Sequence, residues 1–158
     1  MPLRPFNKGD IDQLIAWIDS SSLNYQWGGP TYQFPLTKRQ IVRHIKRQEV
    51  TPFLYERDDQ RVGVAELFFV EEGHYRICRV FVSDSHRGQG VAKQMLKALI
   101  IHAATTLMAR KLSLVVFAHN HPAIRCYRSL GFETVAFEQG ARKHDGESWD
   151  LIKMELIL

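Results

Sequence analysis

The tightest constraint on this chain is a short turn. In "VFVSDSHRGQGVAKQML", Val80 to Leu96, an apolar strand pattern runs into Gly88-Gln89-Gly90 and out into an amphipathic helix. Val91, Met95 and Leu99 fall on one line of that helix, with Ala92, Leu96 and Ala103 beside it. A strand, a glycine-paired turn and a helix in direct succession suit backbone amides that must approach something closely. Unpaired amides and the helix dipole both favour an anion there, and phosphate is the common guest. The P-loop pattern G-x-x-x-x-G-K-[ST] is absent. A dinucleotide fold wants glycine or alanine where Lys93 stands and an acidic residue in the next strand, and Met108 to Ala118 has none. What remains is a tight loop converging on a pyrophosphate, with His86 or Arg87 adding charge; a turn that only packs closely is the competing reading.

The rest of the chain supplies alternating elements. Leu3 to Phe6 reads as a short strand, and Asp10 with Gln13 reads as a capping box opening a helix with Ile11, Leu14, Ile15 and Ile18 on one face. Ser20 to Leu36 reads as a loop, and Thr37 with Gln40 opens a second helix to about Gln48. Strands follow at Phe53 to Glu56, Arg61 to Val70 and Tyr75 to Val82, the last two joined as a hairpin by "EEGH". Leu112 to Ala118 is a buried strand, Pro122 to Gly131 a short helix, and Phe132 to Phe137 and Trp149 to Leu158 close the chain as strands. With no repeat or linker, the pattern predicts one α/β domain over 1–158, its mixed sheet of about six or seven strands flanked by about four helices.

Composition excludes several classes. At 158 residues, 45% apolar and 24% charged, the chain has the balance of a soluble globular protein with a real core. No apolar run approaches the ~20 residues of a membrane span, and "MPLRPFNKGD" lacks the apolar middle of a secretory signal. Cys78 and Cys126 lie in apolar patterns without metal-ligand spacing, which predicts reduced thiols in a cytoplasmic protein. The net charge of +4 suits an anionic ligand, but the basic residues are spread out. "KRQIVRHIKR" reads as a solvated face opposite Ile41, Val42 and Ile45. No basic patch is interleaved with aromatics, so no nucleic-acid partner is expected.

Two motifs together point further. "VFVSDSHRGQGVA" resembles the acyl-CoA-binding signature of the GNAT family of N-acetyltransferases, with Ser85 standing where Gln or Arg is usual. "LVVFAHNHPAIRCYRSLGF" is similar to that family's strand, Asn-containing loop and Tyr-bearing helix, with Asn120 and Tyr127 seven residues apart. The order of elements agrees from Leu3 to Leu158. The resemblance implies a GNAT-like fold that binds acetyl-CoA as cosubstrate, without a metal, and acetylates a primary amine of a small molecule or protein by direct attack. It implies cofactor contacts from Val80, Phe81, Val82, His86, Arg87, Gly88, Gln89, Gly90, Val91, Ala92, Asn120 and Tyr127.

The same resemblance assigns chemistry. The Val82 amide would face the developing negative charge of the acyl oxygen, and the Tyr127 phenol would protonate the departing sulfur. For the base, Glu66 interrupts an apolar stripe with Val62, Val64 and Phe68; a base and a cross-strand ion pair with Arg79 are both open readings. His119 and His121 are further proton acceptors by position. On the acceptor side, "NYQWGGPTYQFP" offers Tyr25, Trp27, Tyr32 and Phe34 as an aromatic wall, and "FEQGARKHDGESW" the opposing hairpin. The apolar last strand "LIKMELIL" could form an exposed edge pairing across a homodimer. A non-catalytic acyl-CoA-binding module is the alternative to an enzyme.

Overall fold

The computed structural model describes residues 2–158. Seven strands form one sheet: β1 (Leu3–Pro5), β2 (Val50–Arg57), β3 (Gln60–Glu71), β4 (His74–Val82), β5 (Lys111–Phe117), β6 (Glu133–His144) and β7 (Glu147–Ile157). Their spatial order is β1-β2-β3-β4-β5-β7-β6. Every neighbouring pair is antiparallel except β4 and β5, which are parallel. A parallel pair needs a long crossover, and the helix after the glycine turn, α4 (Val91–Thr105), supplies it. The other helices are α1 (Ile11–Trp17), α2 (Ser21–Gly28), α3 (Lys38–Ile45) and α5 (His121–Ser129).

Strand alternation sends side chains to opposite faces, and both faces are covered. Leu54 and Val64 join Ile11, Leu14, Ile18 and Ile41 on the α1–α3 side. Phe53, Tyr55, Ala65 and Leu67 join Met95, Leu96, Leu99 and Ala103 on the α4 side. Val62 departs from the stripe read from the sequence. The β2–β3 register shifts beside it, and Val62 packs in the α4-side core while Val64 packs in the other.

Other expectations are corrected. The segment read as a loop from Ser20 contains α2 and a 3-10 turn over Gly29–Thr31, which makes five α-helices among the described residues, in keeping with the mixed α/β sheet expected with about four. Ser20 Oγ caps α2 by accepting from the Leu23 amide at 3.1 Å, although the helix has no clean apolar stripe to announce it. Asp10 does not cap α1. Asn7 caps the preceding turn, accepting from Gly9 N at 2.9 Å, and Asp10 Oδ2 accepts from Asn7 N at 2.9 Å. The strand "LIKMELIL" is no edge: β7 is paired on both sides, by β5 and β6, and β6 is the outer strand. A dimer through an exposed β7 edge is therefore excluded. Among the described residues no helix is long and apolar enough to cross a membrane.

Asp10 ties the first strand to this framework. Fully buried, it accepts from Arg4 at 2.8 and 2.9 Å and meets Arg61 Nε at 3.2 Å. Burial pushes its carboxyl up, but the Arg4 and Asn7 hydrogen bonds and the charges of Arg4 and Arg61 outweigh this and hold it below the usual range. A depressed folded value stabilises above the unfolded pKa, and the benefit is lost as pH falls through the folded one. Asp10→Asn should cost about 2 kcal/mol at pH 7. The gap from wild type should narrow below about pH 4 in denaturant titrations; a pH-independent gap would contradict the assignment.

Candidate active site

The parallel pairing of β4 with β5 stops almost as soon as it starts. It covers His74↔Lys111, Tyr75↔Leu112 and Arg76↔Ser113, and beyond Arg76 the strands diverge while β5 stays paired with β7. A bulge in β4 follows: its paired positions jump from Cys78, opposite Glu66 of β3, to Phe81, opposite Val64, and Arg79 between them has φ +49°. The Arg79 carbonyl accepts from Trp27 Nε1 at 2.9 Å. Farther along, Ser83 N–H donates to Val62 O at 2.9 Å. Successive amides of a strand face opposite edges, so the Val82 N–H faces the open side.

Two clefts reach this opening. One, of about 670 Å³, runs from the glycine turn and the start of α4 along the end of β4 to α5. The other, of about 360 Å³, opens past the end of α2 and between β4 and β5. Both are lined by Gln26, Trp27, Val80, Asn120 and Tyr127, which is where they meet.

The first cleft fits the anion expected of the turn. Gly88 and Gly90 both have φ +74°, and a Cβ at either would meet nothing within 4 Å. Glycine is required by the left-handed backbone, and the close-packing reading of the turn fails. Gly90 is the N-cap of α4 without a side-chain cap, so the first-turn amides are left to a ligand. Arg87 Nε donates to Val82 O at 3.2 Å, its guanidinium lies 5.3 Å from the Phe81 ring centre, and it pairs with Asp84 at 2.8 Å. His86 Nδ1 lies 2.7 Å from Ser83 Oγ and 3.1 Å from Ser85 Oγ. Ser85 thus helps hold the turn in a different way from a longer side chain. Gln89 does likewise, donating to Ser85 O at 3.3 Å. Val91, buried in the core beneath the turn, and Ala92 both line the cleft.

The central residues divide by role. Tyr127 is buried, and that burial, with the nearby Cys126 and Cys78 thiols, raises its phenol above the ordinary range, so it is protonated at neutral pH. Asn120 caps α5, its Oδ1 accepting from Ala123 N at 3.4 Å, and also lines both clefts. Glu66 does not reach either cleft. Its Oε1 accepts from Arg79 Nε at 2.7 Å and lies 2.9 Å from His44 Nε2, so the cross-strand ion pair is the arrangement present. Among the described residues no carboxylate lines the second cleft.

The aromatic wall is only partly formed. Trp27 lines both clefts, but its ring stacks on buried Tyr32 with centroids 5.5 Å apart. Tyr32 belongs to the core, and Phe34 lies exposed outside both clefts. Tyr25 stacks between His144 and Phe117 at 4.7 and 5.8 Å, with Trp149 edge-on at 5.2 Å. His119 joins this cluster at 4.7 Å from Trp149. These faces are taken by one another. The sequence reading missed what lines the second cleft instead: Arg47, Arg76, Arg79 and Arg142. Arg47 had been assigned to a solvated helix face, yet it and Arg76 lie 5.5 and 5.7 Å from the Phe68 ring centre.

The family model for GNAT acetyltransferases matches residues 14–132. The chain belongs to the GNAT family. It is an acyl-CoA-dependent N-acyltransferase by that membership. It is 28% identical over 132 residues to spermidine N(1)-acetyltransferase of Escherichia coli K12, covering 82% of this chain and 71% of that one. The fold matches ribosomal-protein-alanine N-acetyltransferase from Brucella melitensis with a TM-score of 0.78 at 24% identity over all of both chains. It matches spermidine N-acetyltransferase from Vibrio cholerae, solved with CoA and spermine, with a TM-score of 0.84 at 19% identity, covering 98% and 94% of the two chains.

In this GNAT chain, Gly90→Ala places a Cβ at a left-handed backbone position and costs about 1 kcal/mol of strain. Calorimetry should show CoA affinity weakened by about tenfold or more, because relief of that strain would turn the first amides of α4 away from the cofactor's phosphates. Unchanged affinity would mean that the turn does not hold the cofactor.

Proposed function

We propose that this chain transfers an acetyl group from acetyl-CoA to a primary amine by direct attack, in the cytoplasm. The observation that carries the reading is the meeting of two clefts at the opening of β4 from β5. One cleft suits a pyrophosphate at its far end and an extended arm along the free edge of β4; the other admits an acceptor. Acetyl-CoA supplies the thioester. Two cysteines remain free, Cys78 and Cys126, with burial pushing both thiols up and away from nucleophilic use, which favours direct transfer over an acyl-cysteine route.

Each residue has a physical task. The Val82 amide faces the carbonyl oxygen as negative charge develops on it. Tyr127 gives its proton to the sulfur as the C–S bond breaks and the C–N bond forms. The amine's surplus proton leaves to water, which makes Tyr127 whole again. With Glu66 held by Arg79 and His44, no side-chain base is assigned. The guanidiniums of the second cleft disfavour an ammonium ion and so lower the amine's pKa in place of a base.

Tyr127→Phe should lower turnover at least about 100-fold while the KM for acetyl-CoA changes by less than about threefold. Because burial raises the phenol, the wild-type rate should show no loss from tyrosine deprotonation until above about pH 10. Unchanged turnover in the variant would remove the acid role.

A further inference from the structure

The names of several relatives make a polyamine the obvious acceptor, yet the second cleft has the wrong charge for one. Its four arginines come from three parts of the chain: Arg47 from the turn after α3, Arg76 and Arg79 from β4, and Arg142 from β6. Only Arg79 is closely neutralised, by Glu66 at 2.7 Å. Arg47 reaches Glu49 only at 3.7 Å, on the surface. Among the described residues neither Arg76 nor Arg142 has a carboxylate within 4.0 Å, and the Arg142 Nη1 donates to a backbone carbonyl, Ala141 O, at 3.0 Å. Arg76 is also the last β4 residue paired with β5, so it stands at the apex of the opening.

Gathering like charges in a partly enclosed cleft is unfavourable unless an anion compensates them. Arg47 and Arg76 both approach the Phe68 ring, whose negative face attracts a guanidinium. A cationic chain entering here would meet those charges without an acid to receive it. The rings nearby offer it no open face, because Trp27 stacks on Tyr32 and Tyr25 on His144. A planar oxyanion, by contrast, matches the guanidinium fork.

We infer that the acceptor is a small amine carrying its own oxyanion, a carboxylate or a phosphonate, held by Arg76 and Arg142 while its amino group points to the junction of the clefts. This rests on the transferase reading above and names its substrate class. The anion anchors the molecule, and the same field keeps the amine in its reactive neutral form.

The test is thiol release from acetyl-CoA with matched acceptors: glycine against glycinamide, L-glutamate against its diamide, 3-aminopropylphosphonate, and spermidine. The amides carry less basic amines, which biases the comparison against the acids. The anionic acceptors should nevertheless show kcat/KM at least about tenfold higher. Arg76→Gln and Arg142→Gln should bring the ratio to within about threefold while the KM for acetyl-CoA holds, and Arg76→Lys, which keeps the charge without the planar fork, should fall between wild type and Arg76→Gln. Thermal melts of each variant check the fold, and Arg142, being exposed, gives a result even where Arg76→Gln is unstable. Equal or faster turnover of amides or spermidine overturns the inference and leaves acetyl transfer standing. A rise in the KM for acetyl-CoA in both Gln variants also overturns it, since the arginines would then serve the cofactor. Failure of the wild type to bind CoA in calorimetry overturns the underlying reading as well.

Discussion

The interaction on which this site depends is one that ends. β4 and β5 share three paired positions, the last Arg76↔Ser113, and then part. A continuous ladder would satisfy the backbone groups of both strands and close the molecule's centre. Instead β5 continues against β7, and the bulge at Arg79 turns β4 aside. The bulge is held from two directions: Trp27 Nε1 takes the Arg79 carbonyl, and Glu66 with Thr31 takes its guanidinium. The structure thereby keeps a sheet edge open in its interior, where a ligand can use it.

This organisation gives Glu66 a meaning different from a catalytic base. It is buried among apolar residues and would be costly there as a lone charge. Paired with Arg79 and His44, it fixes a left-handed residue that shapes the opening. It lines neither cleft, and among the described residues the cleft beyond holds no carboxylate. The electrostatic character of that cleft is therefore set by arginines alone among the described residues.

Much of the fold was legible because the relevant signals are local. Gly88 and Gly90 announce a tight turn, and the spacing of Val91, Met95 and Leu99 announces α4. Tyr127 and Asn120 were found by a motif, and both line the junction. The failures are tertiary. Asp10 looked like a cap, but Arg4 and Arg61 claim it from elsewhere in the chain. The α2 helix lacks an apolar stripe because only a few of its residues are buried. Tyr32 and Phe34 have the composition of a binding wall, and only packing decides that one enters the core and the other the surface. Arg76 and Arg142 belong to segments 66 positions apart in the sequence, so no spacing could bring them together on paper.

The most direct measurement is a crystal structure with CoA bound. The account predicts a pyrophosphate on the amides from Gly88 to Ala92, the pantetheine arm hydrogen-bonded along β4 beyond Arg76, and sulfur within hydrogen-bond reach of the Tyr127 hydroxyl. CoA lying elsewhere, or a β4–β5 ladder closed past Arg76 with the ligand excluded, would contradict it.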